Sequence, residues 1–283
     1  FGTQKLLKNI SEEMLELTDI QRNEIHVNVL GINHFTWFNE ASYQGIDLFP
    51  VYKAYIDKHF EDGFIKDEEH WMNASFETKN RVKFDLFRRY GLIAAAGDRH
   101  LAEFMPGDEY LKDPETVASW GFKLTTVDSR KDDLKKRLEK SERLVKNEDE
   151  IELKPSGEEG VQLIKALCGL DRIVSNVNIP NTGGQIPNLP KTAIVETNAV
   201  FSRDSIKPLI AGELPEDILN LILPHVENHE DILDAAIERS FDKALKAFLN
   251  DPLVKAKCNK EDAEILLKDM IKKTYTYLPK EWI

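Results

Sequence analysis

The sequence predicts an α+β fold in which a few short strands are embedded among helices. Apolar residues recur at helical spacing over most of the chain, whereas strand-like alternation is confined to residues 25–38, 173–179 and 193–197. The chain also lacks a glycine-rich strand–turn–helix fingerprint for phosphate or dinucleotide binding. We therefore expect one α+β unit over residues 1–283 that ends in a long helical tail.

The first third of the chain is predicted to contain a helix, a strand and then further helices. Apolar residues at helical spacing predict the first helix over residues 6–17. Alternation over residues 25–29 predicts a strand that continues through the apolar and aromatic run 30–38, and residues 48–89 are predicted as helices with acidic loops between them. Gly91 ends the last of these helices, and the small residues 93–97 predict a tight connection.

The remaining two thirds begin with a charged helix and end in the helical tail. Residues 131–150 carry a narrow apolar stripe among many charges, which predicts a solvated amphipathic helix. Ser156 and Glu159 predict a capping box at the start of the next helix. The two later strands follow, and the pattern is helical from Pro215 to the end.

Composition limits the partners of the protein. The 283 residues include 38 Lys and Arg against 50 Asp and Glu, a formal charge of −12, which argues against broad binding to nucleic acid or anionic membranes. No apolar run reaches the length of a membrane span. Cys168 and Cys258 are too far apart for a paired-cysteine zinc site, and so few cysteines favour a reducing compartment. We expect a cytoplasmic location and neither a nucleic-acid nor a membrane partner.

His34 is the most informative single residue of the sequence. It follows Asn33 inside an apolar, β-branched and aromatic run, where an imidazole and an amide each need a polar partner. A metal ion is one partner that suits a neutral imidazole. The alternative is a hydrogen-bonded histidine of the core.

A second candidate site is the polar cluster Asp98, Arg99, His100 and Glu103. It lies beside a turn of small residues, where an aspartate can act as a general base and an arginine can bind a carboxylate through two hydrogen bonds. The alternative is an exposed group of ion pairs at the start of a helix.

Asparagines and histidines form two weaker candidate sites. Asn176, Asn178, Asn181 and Asn188 alternate with prolines and glycines, which suits either recognition of sugar hydroxyls or a nucleotide, or turn formation alone. His225 and His229 lie four residues apart on a predicted helix, a spacing that allows a shared metal but is more typical of a solvated face.

Several of these elements together resemble one family. The runs NVLGINHFTW (residues 28–37), AAGDRHLAEF (95–104), NLP (188–190), VET (195–197) and AFLNDP (247–252) are similar to glycoside hydrolase family 4. Within that family the run at 95–104 resembles the branch of LplD-like α-galacturonidases. The similarity covers essentially the whole chain and corresponds to the C-terminal portion of the family's enzymes.

The resemblance implies an unusual hydrolysis of O-glycosidic bonds, here of α-galacturonides. NAD⁺ takes a hydride from C3 of the sugar, a base removes the C2 proton and the aglycone leaves by β-elimination; water then adds and the reduced cofactor returns the hydride to C3. Mn²⁺ or another divalent metal polarises the sugar oxygens. In the family a cysteine and a histidine hold the metal; His34 matches the histidine, and the cysteine is expected a few residues before Phe1.

The resemblance also implies roles for further residues. Asp98 matches the residue taken as the C2 base in members that act on non-phosphorylated glycosides. Contacts with the sugar or the surroundings of the metal are expected at Asn33, Asn178, Asn181 and Asn188. Arg99 and His100 are expected near the substrate carboxylate or the metal because of their charge, not because of the family pattern.

In the family this portion follows a Rossmann domain, and the whole shares the architecture of lactate and malate dehydrogenases. We therefore expect residues 1–283 to form the catalytic and substrate-binding C-terminal domain, inactive without the NAD-binding domain upstream. The expected partners are a carbohydrate substrate and further copies of the protein in a homodimer or homotetramer.

Other functions remain open at this point. Within the family, the substrate could be an α-glucoside, an α-galactoside or a 6-phosphoglycoside. Outside it, the chain could belong to a lactate- or malate-type dehydrogenase, although residues 31–34 argue against this, or could be a non-catalytic folding or interaction module.

Overall fold

The structure, a computed structural model, describes residues 2–64, 78–151 and 159–279. Helices and strands alternate irregularly along these residues, which confirms the predicted α+β class. In chain order the elements are α1 (Gly2–Met14), β1 (His26–Ile32), β2 (Phe35–Tyr43), β3 (Ile46–Asp47), α2 (Leu48–His59), α3 (Arg81–Tyr90), β4 (Ile93–Ala94), α4 (Asp98–Phe104), α5 (Pro114–Ser119), α6 (Val127–Val145), α7 (Gly160–Leu167), β5 (Ile173–Pro180), β6 (Ile194–Ser202), β7 (Ser205–Pro208), α8 (Glu216–Glu238), α9 (Phe241–Asn250), α10 (Pro252–Lys257) and α11 (Lys260–Thr274).

The first sheet is antiparallel and centred on β2. Strand β1 pairs along one edge of β2, and the short strands β3 and β4 pair along the other edge. The prediction of one strand over residues 25–38 is wrong, because the chain reverses at Asn33 and His34 so that Ile32 pairs with Phe35. The apolar residues on both sides of Asn33 and His34 favour one continuous strand, although these two polar residues form the turn.

Both faces of this sheet are buried. Val29 and Phe38 face a core formed with α1, α2 and one side of α3. Leu30 and Trp37 face a second core formed with α4, α8 and the loop between β5 and β6. Burial on both faces explains why residues 29–32 and 35–38 of these strands are almost all apolar instead of alternating between polar and apolar.

The second sheet is a three-stranded antiparallel meander of β5, β6 and β7. Helix α7 packs against it through Ala166, which contacts Ala199 and Phe201. The side-chain amide of Asn198 on β6 donates a hydrogen bond to the carbonyl of Val27 at 2.7 Å, which fixes this sheet beside β1.

Helix α6 confirms the prediction of a solvated helix, because it has no buried residue along its 19 residues. The prediction of Glu159 as the third residue of a capping box is wrong, because Glu159 is itself the N-cap residue of α7 and makes no side-chain cap bond; Ser156 lies outside the described residues. Among the helices that the structure describes, none is both long and apolar enough to cross a bilayer.

Candidate active site

His34 lies at the tip of the β1–β2 hairpin with its side chain exposed, so it is not a core histidine. Its φ of +62° is left-handed, a conformation that costs a residue with a Cβ roughly 1–2 kcal/mol. Gly31 allows the hairpin to close, because a Cβ there would lie 2.4 Å from the carbonyl oxygen of Phe35. Backbone strain at an exposed histidine is a reason to look for a function.

His100 lies next to His34. It is the third residue of α4, and the centroids of the two imidazole rings are 4.7 Å apart with an angle of 63° between the ring planes. Partial burial, followed by the proximity of His34 and Arg99, lowers the pKa of His100. Its imidazole is therefore neutral at neutral pH, which is the form that binds metals.

The two imidazoles fit part of a divalent-metal site. They supply two nitrogen donors at one exposed position, and nitrogen donors suit first-row divalent metals. Within residues 2–64, 78–151 and 159–279, no group of three or more His, Cys, Asp or Glu side chains could hold a metal. Any further ligands would have to come from substrate, water or parts of the protein outside these residues.

Asp98 is fully buried at the start of α4. One carboxylate oxygen accepts a hydrogen bond from the Thr78 hydroxyl at 2.8 Å and the other from the backbone N–H of Lys83 at 3.1 Å. Burial raises the pKa of Asp98, whereas the nearby Lys83 ammonium acts to lower it. The base role of Asp98 stays a prediction, while these contacts show a carboxylate that joins the first turns of α3 and α4.

Lys83 and Thr3 complete this buried junction, and neither residue is predicted from the sequence. Lys83 is 3% exposed, and its ammonium donates to the Thr3 hydroxyl at 2.8 Å. That hydroxyl donates in turn to the carbonyl of Ala95 at 2.6 Å. Burial lowers the pKa of Lys83 to about 8. No sequence pattern marks Lys83, because a lysine in the first turn of a helix is ordinarily solvated.

Arg99 is half-buried and donates a hydrogen bond to the Thr125 hydroxyl. This contact joins α4 to the segment that precedes α6. The guanidinium therefore has a structural contact within the chain, and its binding of a substrate carboxylate stays a prediction.

Two of the predicted asparagines are used within the loop after β5. The amide nitrogen of the fully buried Asn181 donates to the carbonyls of Ile186 and Leu189 at 2.9 and 3.0 Å, and its oxygen accepts from the N–H of Ile186 at 3.0 Å. Asn188 likewise pairs with both backbone groups of Leu214, at 2.8 and 3.1 Å. These bonds support the turn-forming alternative for Asn181, whereas Asn188 joins this loop to Leu214, just before the start of α8.

Two further predicted asparagines, Asn33 and Asn178, are exposed. Asn33 shares the hairpin tip with His34, so it lies within the candidate site. Asn178 is on β5 opposite Glu196, in the second sheet. The structure thus brings Asn33, His34 and His100 together.

His225 corrects the prediction of a solvated histidine pair. It is buried, whereas His229 is exposed. Its Nε2 atom lies 3.0 Å from the carbonyl oxygen of Phe104, and its ring contacts Phe104 and Phe35 edge to face. Burial lowers the pKa of His225. His225 therefore packs against the last residue of α4 and the first residue of β2.

Comparisons with known proteins agree with this architecture. Residues 29–254 match the model of the family 4 glycosyl hydrolase C-terminal domain. An α-galacturonidase from Lachnoclostridium phytofermentans is 66% identical over 284 residues, which cover 100% of this chain and 60% of the relative. An α-galacturonidase from Thermoanaerobacterium saccharolyticum is 54% identical, over 98% of this chain and 59% of the relative.

Solved structures of related proteins superpose on this fold. The crystal structure of lplD from Bacillus subtilis superposes with a TM-score of 0.88 at 46% identity, over 95% of this chain and 60% of that one. A 6-phospho-α-glucosidase from gut microorganisms, solved with NAD and Mn²⁺, superposes with a TM-score of 0.69 at 20% identity, over 98% of this chain and 60% of that one, and supports the fold alone.

The chain spans 60% of the length of the first of these curated relatives. The family match decides against the dehydrogenase alternative, because the relatives of high identity are glycosidases. With residues 29–254 matching its domain model, the chain belongs to glycosyl hydrolase family 4 and carries that family's C-terminal domain.

Proposed function

We propose that the protein carrying this chain hydrolyses α-galacturonides and that His34 and His100 form part of its metal site. One observation carries the proposal: two imidazoles lie 4.7 Å apart at a strained hairpin tip. The 66% identity to an α-galacturonidase favours the substrate class.

The chain's own residues have separate tasks in this proposal. The hairpin fixes His34, and α4 holds the neutral imidazole of His100 beside it. Asn33 offers an amide to sugar hydroxyls, and Arg99 places a positive charge near the site for a uronate carboxylate. When bound, Mn²⁺ supplies Lewis-acid polarisation of the sugar oxygens. The sequence contains no glycine-rich fingerprint for NAD, so we derive no step through that cofactor.

We assign Asp98 to the placement of α4. Its carboxylate is enclosed by Thr78 and the N-terminus of α3, with no exposed surface from which to reach a sugar C2 proton. A general base must come within hydrogen-bond reach of the proton that it removes. Asp98 therefore acts as a positioning residue, through the helix that carries His100.

The substrate test uses the complete coding sequence that contains this chain. The protein is assayed with p-nitrophenyl α-galacturonide, α-glucoside, α-galactoside and a 6-phosphoglucoside, in the presence of Mn²⁺, NAD⁺ and a reductant. We expect the highest kcat/KM for the galacturonide. Preference for another glycoside would select an alternative within the family, and no turnover of any glycoside would favour the non-catalytic module.

Two further measurements address the mechanism and the metal. If the reaction removes the C2 proton, the sugar released in D₂O carries deuterium at C2, and its absence rejects that route. Mn²⁺ affinity is then compared among His34→Gln, His100→Gln and the matched control His229→Gln, an exposed histidine on α8. We expect at least a roughly tenfold loss for the first two variants and no change for the control.

A further inference from the structure

His225 is a buried histidine that lies outside the candidate active site and contacts both elements that carry it. It lies on α8 between Ile222 and Val226, which belong to the same core as Leu30 and Trp37. Only 8% of His225 is exposed. A polar side chain in an apolar core is costly unless its hydrogen-bonding groups find partners. The contacts of His225 therefore indicate why a histidine is needed here.

The first contact of His225 is with the end of α4. This helix ends at Phe104, and the last four carbonyls of a helix lack partners within it. The Nε2 atom of His225 lies 3.0 Å from the Phe104 carbonyl oxygen, and because a carbonyl only accepts, this nitrogen carries the proton and donates the hydrogen bond. Phe104 lies one turn beyond His100, on the same face of α4. The hydrogen bond therefore holds the helical turn that carries His100.

The second contact of His225 is with the first residue of β2. Phe35 is fully buried and directly follows His34. Its ring stacks on that of Phe104, with centroids 4.8 Å apart and an angle of 4° between the planes, and His225 packs edge to face against both rings. The three rings therefore join the hairpin that carries His34 to the helix that carries His100.

Among these three rings, His225 supplies the directional contact. Pairs of aromatic rings tolerate centroid separations over a range of about 4.5–7 Å, so the two phenylalanines alone leave the position of α4 loosely defined. A hydrogen bond, in contrast, weakens steeply when its geometry is disturbed. Metal ligands have to be held within about 0.5 Å of the productive geometry. The hydrogen bond from His225 is therefore suited to fix His100 relative to His34.

We propose that His225 is a positioning residue for the metal site, and that its hydrogen bond to Phe104 fixes His100 at the separation from His34 that a shared divalent ion requires. This inference rests on the proposed function, because it takes these two imidazoles as metal ligands. His225 itself is not a ligand, since its Nε2 atom faces the Phe104 carbonyl and its ring is enclosed in the core. It acts through α4 and β2.

The test measures Mn²⁺ affinity in the complete protein that contains this chain, so it does not depend on turnover. His225→Leu removes the donor, whereas His225→Gln keeps an N–H donor on a side chain of similar reach. If His225→Leu does not fold, His225→Phe takes its place and keeps a buried ring without a donor. The matched control is Ile56→Val, a truncation of a fully buried side chain of α2 in the core on the other face of the first sheet. Thermal unfolding of each variant separates a general loss of stability from a change at the metal site.

We expect Mn²⁺ to bind roughly tenfold more weakly to His225→Leu, and within about threefold of the wild type to His225→Gln, because residues that orient metal ligands alter affinity by about 10–100-fold. The nitrogen modulation in the electron spin echo of bound Mn²⁺, which reports imidazole ligands, should weaken in His225→Leu and be retained in His225→Gln. Ile56→Val should bind Mn²⁺ as the wild type does, although its unfolding midpoint falls. An unchanged affinity in His225→Leu, or an equal loss in His225→Gln or in Ile56→Val, overturns the proposal.

The variants His34→Gln and His100→Gln separate this inference from the proposed function. If these two bind Mn²⁺ weakly while His225→Leu binds it as the wild type does, this inference is overturned and the metal site stands. If all three bind Mn²⁺ as tightly as the wild type, His34 and His100 are not metal ligands and both proposals are overturned. Weak binding by all three, with affinity retained in His225→Gln, supports both.

Discussion

The substitution Asp98→Asn separates the two roles that a carboxylate at the start of α4 can have. As a general base Asp98 would contribute to the rate, and as a buried junction it would contribute to stability. The structure gives it hydrogen bonds from the Thr78 hydroxyl at 2.8 Å and the Lys83 N–H at 3.1 Å, with the buried Lys83 ammonium nearby. Asparagine keeps the size of the side chain but removes its charge.

The expected magnitude follows from these contacts. A hydrogen bond to a charged group contributes about 1.5–3 kcal/mol, and asparagine retains a single acceptor oxygen for the two donors. The Lys83 ammonium donates to the Thr3 hydroxyl and interacts with Asp98 electrostatically, so the loss of the carboxylate charge costs less than the about 3–5 kcal/mol of a broken buried ion pair. Burial of the Asp98 carboxylate is itself unfavourable, as its raised pKa indicates, so removal of the charge also relieves this desolvation penalty and reduces the net loss of stability. We therefore expect a net loss of roughly 3 kcal/mol in the free energy of unfolding.

The assay measures stability and rate on the same preparations of the complete protein. Urea titration gives the free energy of unfolding, and steady-state kinetics on an α-galacturonide gives kcat. Removing a general base lowers the rate by about 10²–10⁴-fold, whereas we expect a fall of less than about tenfold while the variant is folded. Glu103→Gln, an exposed change on the same helix, should stay within about 0.5 kcal/mol of the wild type.

A second substitution tests the charge argument directly. Lys83→Met in the Asp98→Asn background removes the ammonium that has lost the nearby carboxylate charge and should recover about 2 kcal/mol of the lost stability. If Asp98→Asn instead lowers kcat more than about 100-fold at an unchanged free energy of unfolding, Asp98 is the base and the positioning role is wrong.

Three further predictions concern stability. Burial lowers the pKa of Lys83 from 10.5 to about 8, so between these pH values the folded protein binds fewer protons than the unfolded chain. The free energy of unfolding, measured by urea titration, should therefore rise by about 2 kcal/mol from about pH 8 to about 9.5. Lys83→Met should abolish this rise. Gly31→Ala should lower the free energy of unfolding by more than about 3 kcal/mol, since the new Cβ would lie 2.4 Å from a carbonyl oxygen of β2. The control Gly97→Ala has open space around its Cβ and should change this free energy by less than about 0.5 kcal/mol. Equal effects of the two variants in thermal unfolding would contradict the hairpin geometry. Asn181→Ala should cost about 3 kcal/mol in urea titrations and Asn178→Ala almost nothing, and the reverse order would show that Asn181 is not a structural residue.

The fold class and most helices could be predicted from the sequence, whereas the strand pairing of the first sheet could not. Helix α6 was predictable because, in a solvated helix, a narrow stripe of apolar residues recurs at helical spacing among charged residues. The β1–β2 hairpin was not, because a strand buried on both faces has no alternation to break at the turn. The polar pair Asn33 and His34, interpreted as a buried site, was the turn itself.

The candidate site was predicted unevenly for a related reason. His34 and His100 are imidazoles, a residue type with few structural uses, and the fold brings the two together. The asparagines were ambiguous, because the amide that binds a sugar hydroxyl also binds a loop carbonyl, and Asn181 does the latter. Lys83 could be recognised only from three-dimensional burial, since a lysine in the first turn of a helix is ordinarily solvated.

The comparison of Asp98 with His34 shows which energetic signal indicates function in this chain. Burying the Asp98 carboxylate is costly, but two hydrogen bonds and a nearby ammonium compensate for that cost within the fold. His34 holds a left-handed backbone worth roughly 1–2 kcal/mol of strain, yet its side chain is exposed and buries little surface in return. A glycine would remove that strain, so a histidine here must supply something other than stability. A cost that the surrounding structure compensates indicates a structural junction, and an uncompensated cost at an exposed imidazole indicates a binding site.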